Sequence, residues 1–231
     1  MQGAFLHIQG RWAQFRKPET NNTPLTHDFL TKTALIGLMG AVLGIERGEM
    51  RSLFPVLCDD LLYGIQIRHL VNKVSWGFTL RNVHKPNDPS EKAPRQMEFL
   101  RNPDYTVALA LKDARSEDIF TRFTTAVQNE EARYTPVLGL HNCPAELEWL
   151  GAAEFEARQG AYQTHGFALR KHRLLDPSNL RIGFERVPSY QSAEWWNLPD
   201  RYREVIYPSN GGSISMEGEH FQSERGAWCL I

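Results

Sequence analysis

The order of periodic segments in this 231-residue chain predicts an α+β fold whose core is a split βαβ unit of the ferredoxin-like or RRM type. Three observations carry that prediction. Residues 4–9, 61–71, 105–111 and 147–155 read as strands. Helices at 33–45 and from Ser116 to about residue 129 separate the first strand from the second and the third from the fourth. Between the second and third strands lies a basic, proline-punctuated insertion.

Taken in order, residues 4–9 alternate and open the fold. Residues 33–45 are apolar on nearly every side, which predicts a buried helix. In 61–71, Ile65 and Ile67 alternate with Gln66 and Arg68, placing polar groups on one face. Residues 72–103 change character. Trp76, Phe78, Arg81, Asn82, His84, Lys85, Lys92, Arg95 and Arg101 stand among prolines at 86, 89, 94 and 103, the composition of a protruding hairpin or loop. Glu117 and Asp118 suit the first turn of the second helix. Beyond 160 the signals weaken. Residues 180–187 and 203–207 read as strands, Asn210-Gly211-Gly212-Ser213 as a turn, and 228–231 as a segment that closes a sheet. The plan is a core at 1–155, with its basic insertion at about 73–100, followed by a β-rich C-terminal extension at 156–231.

A hydrophobic content of 42% and a charged content of 23% exclude disordered and fibrous classes. The net charge of −1 hides an asymmetry: residues 1–101 hold 13 Lys+Arg against 9 Asp+Glu, and residues 102–231 hold 13 against 18. A basic half is either a solvated face or an electrostatic footprint for nucleic acid. Cys58, Cys143 and Cys229 are odd in number and far apart, so neither a disulfide framework nor a structural zinc site is suggested and a reducing, cytoplasmic setting is expected. The first residues lack a basic lead and a long apolar run, which predicts neither a signal peptide nor a membrane partner.

The densest functional signal is in 10–17, Gly-Arg-Trp-Ala-Gln-Phe-Arg-Lys. Arg11, Arg16 and Lys17 suit phosphates, Gln14 offers an amide, and Trp12 or Phe15 either stacks on a base or belongs to the core. Thr31, Lys32 and Thr33 then bring hydroxyls, a cation and free N–H groups to a helix start, a recipe for holding phosphate. Gly37, Gly40 and Gly44 fall along one helix face. Each costs about 1 kcal/mol relative to alanine, so something approaches closely there: the domain's own sheet, a partner chain or an RNA strand. Charge alone adds Lys73, Arg81, Arg95 and Arg101 to the candidate RNA contacts. His69 with Lys73, or His84 with Lys85, helped by Tyr63 or Tyr105, would serve acid–base cleavage of RNA, but such residues are more often plain polar surface. No His-Glu-Xaa-Xaa-His, Walker, dinucleotide or serine-elbow pattern occurs, so no metal, cofactor or serine hydrolase chemistry is expected.

Gly10 to Pro18 resembles the N-terminal Gly-x-x-Ala-x-Phe-Arg-Lys segment of the fifth Cas protein family. Residues 31–44 resemble that family's glycine-rich first helix. Leu100-Arg101-Asn102-Pro103-Asp104-Tyr105 and Thr135-Pro136-Val137-Leu138-Gly139 resemble its later landmarks. The likeness covers about the first 155 residues and is strongest to the type I-B branch. It implies a RAMP-superfamily, RRM-like core with a β-hairpin thumb, and a non-catalytic subunit that caps the 5′ handle of CRISPR RNA in a type I Cascade complex. The implied partners are that RNA, the backbone subunit, the large PAM-reading subunit and, indirectly, target DNA near the PAM. It carries handle contacts over to Arg16 and Lys17, then to Lys32 and Thr33. In the I-C branch the family cleaves precursor RNA with a tyrosine near the end of the first helix and a later Lys-His pair. Here that helix ends Gly44-Ile45-Glu46, and the Lys-His order occurs far downstream at Lys171-His172. The chain therefore reads as non-catalytic, and the alternatives are a metal-independent endoribonuclease acting in the repeat and a pure protein scaffold.

Overall fold

A computed structural model describes residues 1–20, 22–81, 84–85, 87–88, 90, 92–177, 181–189, 199 and 201–231, excluding the side chains of residues 80 and 81. In chain order it begins with β1 (Gln2–Gln9), β2 (Trp12–Ala13), α1 (Lys32–Leu43), α2 (Arg47–Asp60) and β3 (Leu61–Ile67). Next come β4 (Lys73–Arg81), β5 (Lys92–Arg101), β6 (Asp104–Leu111), a 3₁₀ turn at Ala114–Ser116, and α3 (Glu117–Gln128). The C-terminal strands are β7 (Glu146–Glu154), β8 (Glu156–Thr164), β9 (Ala168–Leu169), β10 (Arg173–Leu174), β11 (Ile182–Ser189), β12 (Arg201–Pro208), β13 (Ile214–Ser223) and β14 (Gly226–Trp228).

The central sheet runs β3-β6-β1-β7 and is antiparallel throughout. That is the ferredoxin-like order, with helices crossing between β1 and β3 and between β6 and β7. Strand alternation divides the side chains. Leu6, Ile8, Tyr63, Ile65, Val107 and Leu109 face α1 in the main core, while Phe5, Ala108 and Ala110 pack beneath Phe155, Trp228 and Leu230. The strand expected at 61–71 stops at Ile67: the Arg68 N–H makes a last bond to the Asp104 carbonyl, and by Val71 the backbone has left β6 and bonds Ser209 instead.

Thr31 caps α1 by accepting a hydrogen bond from the Ala34 N–H at 3.3 Å. Gly44 ends the helix in the left-handed conformation at φ 70°, while the Ile45 N–H returns to the Gly40 carbonyl. The three α1 glycines do not share one partner, and none meets the sheet: a Cβ at Gly40 would lie 2.6 Å from Met50 Cε of α2, Gly44 sits against the Arg133 side chain, and Gly37 faces open space. The sequence reading lacks α2 altogether, because it is polar and carries Pro55. Phe54, Leu57 and Cys58 hold it against the core. Its last residue, Asp60, is fully buried and accepts from the N–H groups of Asp113 and Ser116, anchoring the approach to α3.

β4 and β5 pair over their full length as a hairpin, and β2 adds to the base of β5. Val187, Val205, Tyr207 and Phe167, all beyond residue 155, sit in the same apolar cluster as α1 and the central sheet.

Candidate nucleic-acid interface

The structure sorts the sequence candidates into three places. The first is the base of the hairpin. β2 pairs Trp12 with Arg101, and the Arg11 carbonyl accepts from the Asn102 N–H, which brings Arg11 and Arg101 to one spot. Both are exposed, as is Arg95 farther along β5 opposite Phe78. Trp12 packs on Trp76 with ring centroids 4.1 Å apart, and Trp76 and Phe78 continue the aromatic strip to Phe99. Trp12 is therefore half in the core and half at the surface. Phe15 is a core residue, and Gln14 is buried with its amide nitrogen unpartnered among the described residues. Arg81 belongs to β4, with its side chain outside the described set.

The second place is a buried ionic clasp. Lys17 bonds Glu185 at 3.0 Å, and the His27 ring bonds the other Glu185 oxygen at 2.9 Å. The Asp28 N–H also donates to Glu185, while the Asp28 carboxylate accepts from the Tyr207 hydroxyl and pairs with Lys73 at 2.6 Å. Lys73 further reaches Glu98 at 3.4 Å. Burial opposes ionisation of Glu185, but the His27 hydrogen bond and the His27 and Lys17 charges hold its carboxyl below the usual range. Burial likewise opposes the charge on Lys73, yet hydrogen bonding and attraction to Asp28 raise its pKa. Arg16 stands beside the clasp, exposed, and donates its guanidinium to the Thr20 carbonyl at 3.2 Å. Two cations expected to face RNA, Lys17 and Lys73, are thus joined to internal acids.

The third place lies past the far end of β6 from the hairpin. Lys32 is buried, its ammonium bonded to the Cys58 carbonyl at 3.3 Å and set 5.9 Å from the Tyr63 ring. Burial, with Arg203 and Lys112 nearby, pushes its pKa down to about 8. Thr33 spends its hydroxyl on Thr31 at 3.0 Å. Lys32 opens into a cavity of about 360 Å³ that Lys112, Lys171, Arg201 and Arg203 also line. Sequence reading missed these four, since they lie far from Lys32 in the chain and no local pattern joins them.

Tyr63 and Tyr105, weighed as aids to cleavage, are fully buried core residues whose burial raises their pKa, so neither reaches a substrate. His69 pairs with Asp104 at 3.0 Å while Lys73 is bound to Asp28.

Fold and surface together define a class: a ferredoxin-like α+β protein whose inserted hairpin carries exposed arginines beside aromatic rings. A protein-family model described as CRISPR-associated protein (Cas_Cas5) matches residues 5–199. The chain belongs to the Cas5 family of CRISPR-associated proteins. It is 29% identical over 155 residues to the CRISPR system Cascade subunit CasD of Escherichia coli strain K12, covering 60% of this chain. The match spans 65% of that relative, a little under two thirds of its length. A CRISPR protein from Archaeoglobus fulgidus superposes with a TM-score of 0.61 at 13% identity, over 99% of this chain and all of the other. A chain of a CRISPR RNA-guided surveillance complex superposes with a TM-score of 0.52 at 14% identity, over 94% and 91% of the two chains. These likenesses establish the shared fold.

Proposed function

We propose that this chain is a non-catalytic subunit of a type I CRISPR Cascade complex that binds and caps the 5′ handle of the CRISPR RNA. In that role it joins the backbone subunit to the large PAM-reading subunit, and target DNA near the PAM lies close to it. Family membership and the relative's name as a Cascade subunit support the assembly. The type I-B branch rests on the resemblance of the N-terminal segments. The observation that carries the RNA contact is the hairpin base, where exposed Arg11 and Arg101 flank the Trp12–Trp76 pair and Arg95 follows along β5. Arginine forks neutralise phosphates, and neighbouring rings accept stacked bases.

Fluorescence anisotropy of a labelled handle oligoribonucleotide tests this reading. Arg11→Ala and Arg101→Ala each lower the slope of log affinity against log salt by about 0.7, the value for one phosphate contact on a single strand. Binding that does not change with salt in the unsubstituted protein refutes the RNA contact. Discrete cleavage of repeat RNA in EDTA refutes the non-catalytic role.

A further inference from the structure

The cavity beside Lys32 is built from segments that meet only in the folded chain: the α2–β3 junction, the residue after β6, β9, β11 and β12. Five cationic side chains line it, Lys32, Lys112, Lys171, Arg201 and Arg203. Asp59 is the one carboxylate side chain among its described lining residues, and it is already bonded to Arg115 at 2.6 Å and Lys112 at 3.5 Å. Lys171 leans toward Glu219 at 3.8 Å. The Lys32 ammonium has a neutral carbonyl as its hydrogen-bond acceptor, at 3.3 Å.

Gathering like charges around a hollow costs free energy, and more so when one of them is buried. An anion placed among them reverses the sign of that term. Two guanidiniums and three ammoniums converging from different directions suit a tetrahedral, multiply charged group better than a planar carboxylate. The remaining walls include the apolar Leu62, Leu169 and Val187, so the space suits an anion carried on a larger body. Its volume of about 360 Å³ falls at the small end of ligand sites, roughly the scale of one nucleotide.

We propose that this cavity holds one nucleotide, its phosphate among Lys32, Arg203 and Lys171 and its body against the apolar wall. The site stands on the cavity itself. Only the choice of an RNA strand as the source of the nucleotide rests on the function proposed above.

Titration calorimetry of the full chain with AMP, with adenosine and with inorganic phosphate tests the site, and anisotropy with a single-stranded oligoribonucleotide tests the source. AMP binds, adenosine binds at least tenfold more weakly, and Arg203→Ala or the pair Lys171→Ala with Arg201→Ala weakens AMP at least tenfold. These side chains are exposed or at the rim, and a thermal melt within about 2 °C of the parent's confirms that the fold is kept. Arg101→Ala, at the hairpin, leaves AMP affinity unchanged. If the cavity variants also weaken the oligoribonucleotide, the occupant is a unit of an RNA strand. If they weaken AMP alone, it is a free mononucleotide. If the parent binds AMP but no oligoribonucleotide, the RNA reading falls and the cavity stands. No AMP binding, or AMP binding indifferent to both cavity variants, overturns the proposal.

Discussion

Replacing Glu185 with alanine removes a carboxylate that three groups share: the His27 ring at 2.9 Å, the Lys17 ammonium at 3.0 Å and the Asp28 N–H at 3.2 Å. Its side chain is 4% exposed, against 3% for His27 and 25% for Lys17. Breaking a buried ion pair by deleting one partner costs about 3–5 kcal/mol. Lys17 escapes part of that by reaching water, so the lower end, about 3 kcal/mol, applies. In a chain of this length each kcal/mol moves the melting temperature by about 2–4 °C, so Glu185→Ala lowers it by about 6–12 °C. Circular dichroism melts at pH 7 measure this, and a double-mutant cycle with Lys17→Ala reads a coupling of about 0.5–3 kcal/mol. The folded carboxyl titrates below the ordinary glutamate value of 4.5, so its contribution is complete above that pH. It fades as pH falls through the folded value, and the two melting curves converge in acid. A drop under about 2 °C at pH 7, or strict additivity with Lys17→Ala, refutes the clasp. The cycle also decides the role of Lys17: as part of the clasp, its removal costs stability before it costs RNA affinity.

Other outcomes follow from the same physics. Lys32→Met keeps the fold and raises the urea midpoint at pH 7, since an ammonium among Arg203, Lys112, Cys58 and Asp59 is replaced by an apolar chain. The gain is at most about 3 kcal/mol by the linkage constant. The folded lysine titrates near 8 and the unfolded one near 10.5, so the advantage is full below pH 8 and closes by pH 10.5; a midpoint difference that widens with pH contradicts this. Gly139→Ala places a Cβ at φ 92° against the Gln14 carbonyl, whereas Gly160→Ala, at φ 130°, meets open space. The second substitution costs about 1–3 kcal/mol of backbone strain and the first costs more, which equal losses in urea would disprove.

The central strands were legible because burial on both faces makes them short apolar runs, with β6 buried at six consecutive positions, bounded by polar segments. α1 was legible because Thr31 and Gly44 cap an apolar run. α2 was not: its sequence Arg-Gly-Glu-Met-Arg-Ser opens without a cap or an apolar stripe, and its stability comes from packing against α1. β8 and β13 pair along nine positions but carry Glu, Arg and Gln at exposed sites and Gly at half-buried ones, so neither shows a strong period. At the candidate site, residue type identified cations but not their commitments. Nothing near Lys17 or Lys73 in the chain announces Glu185 or Asp28 as the acid each meets. Lys32 was chosen for its place at a helix start, and the charges that give it meaning arrive from residues 112 to 203.

The edge of β3 away from β6 is covered by two distant segments: the Phe167 N–H bonds the Ile65 carbonyl at 3.0 Å, and Tyr63 and Ile231 exchange backbone bonds at 3.2 and 3.0 Å. That edge therefore stays open until both segments, which come much later in the chain, have joined it. A variant lacking residues 228–231 bares the Tyr63 end of that strand, which is then ready to pair with a neighbouring molecule, so it accumulates as aggregates rather than as soluble protein.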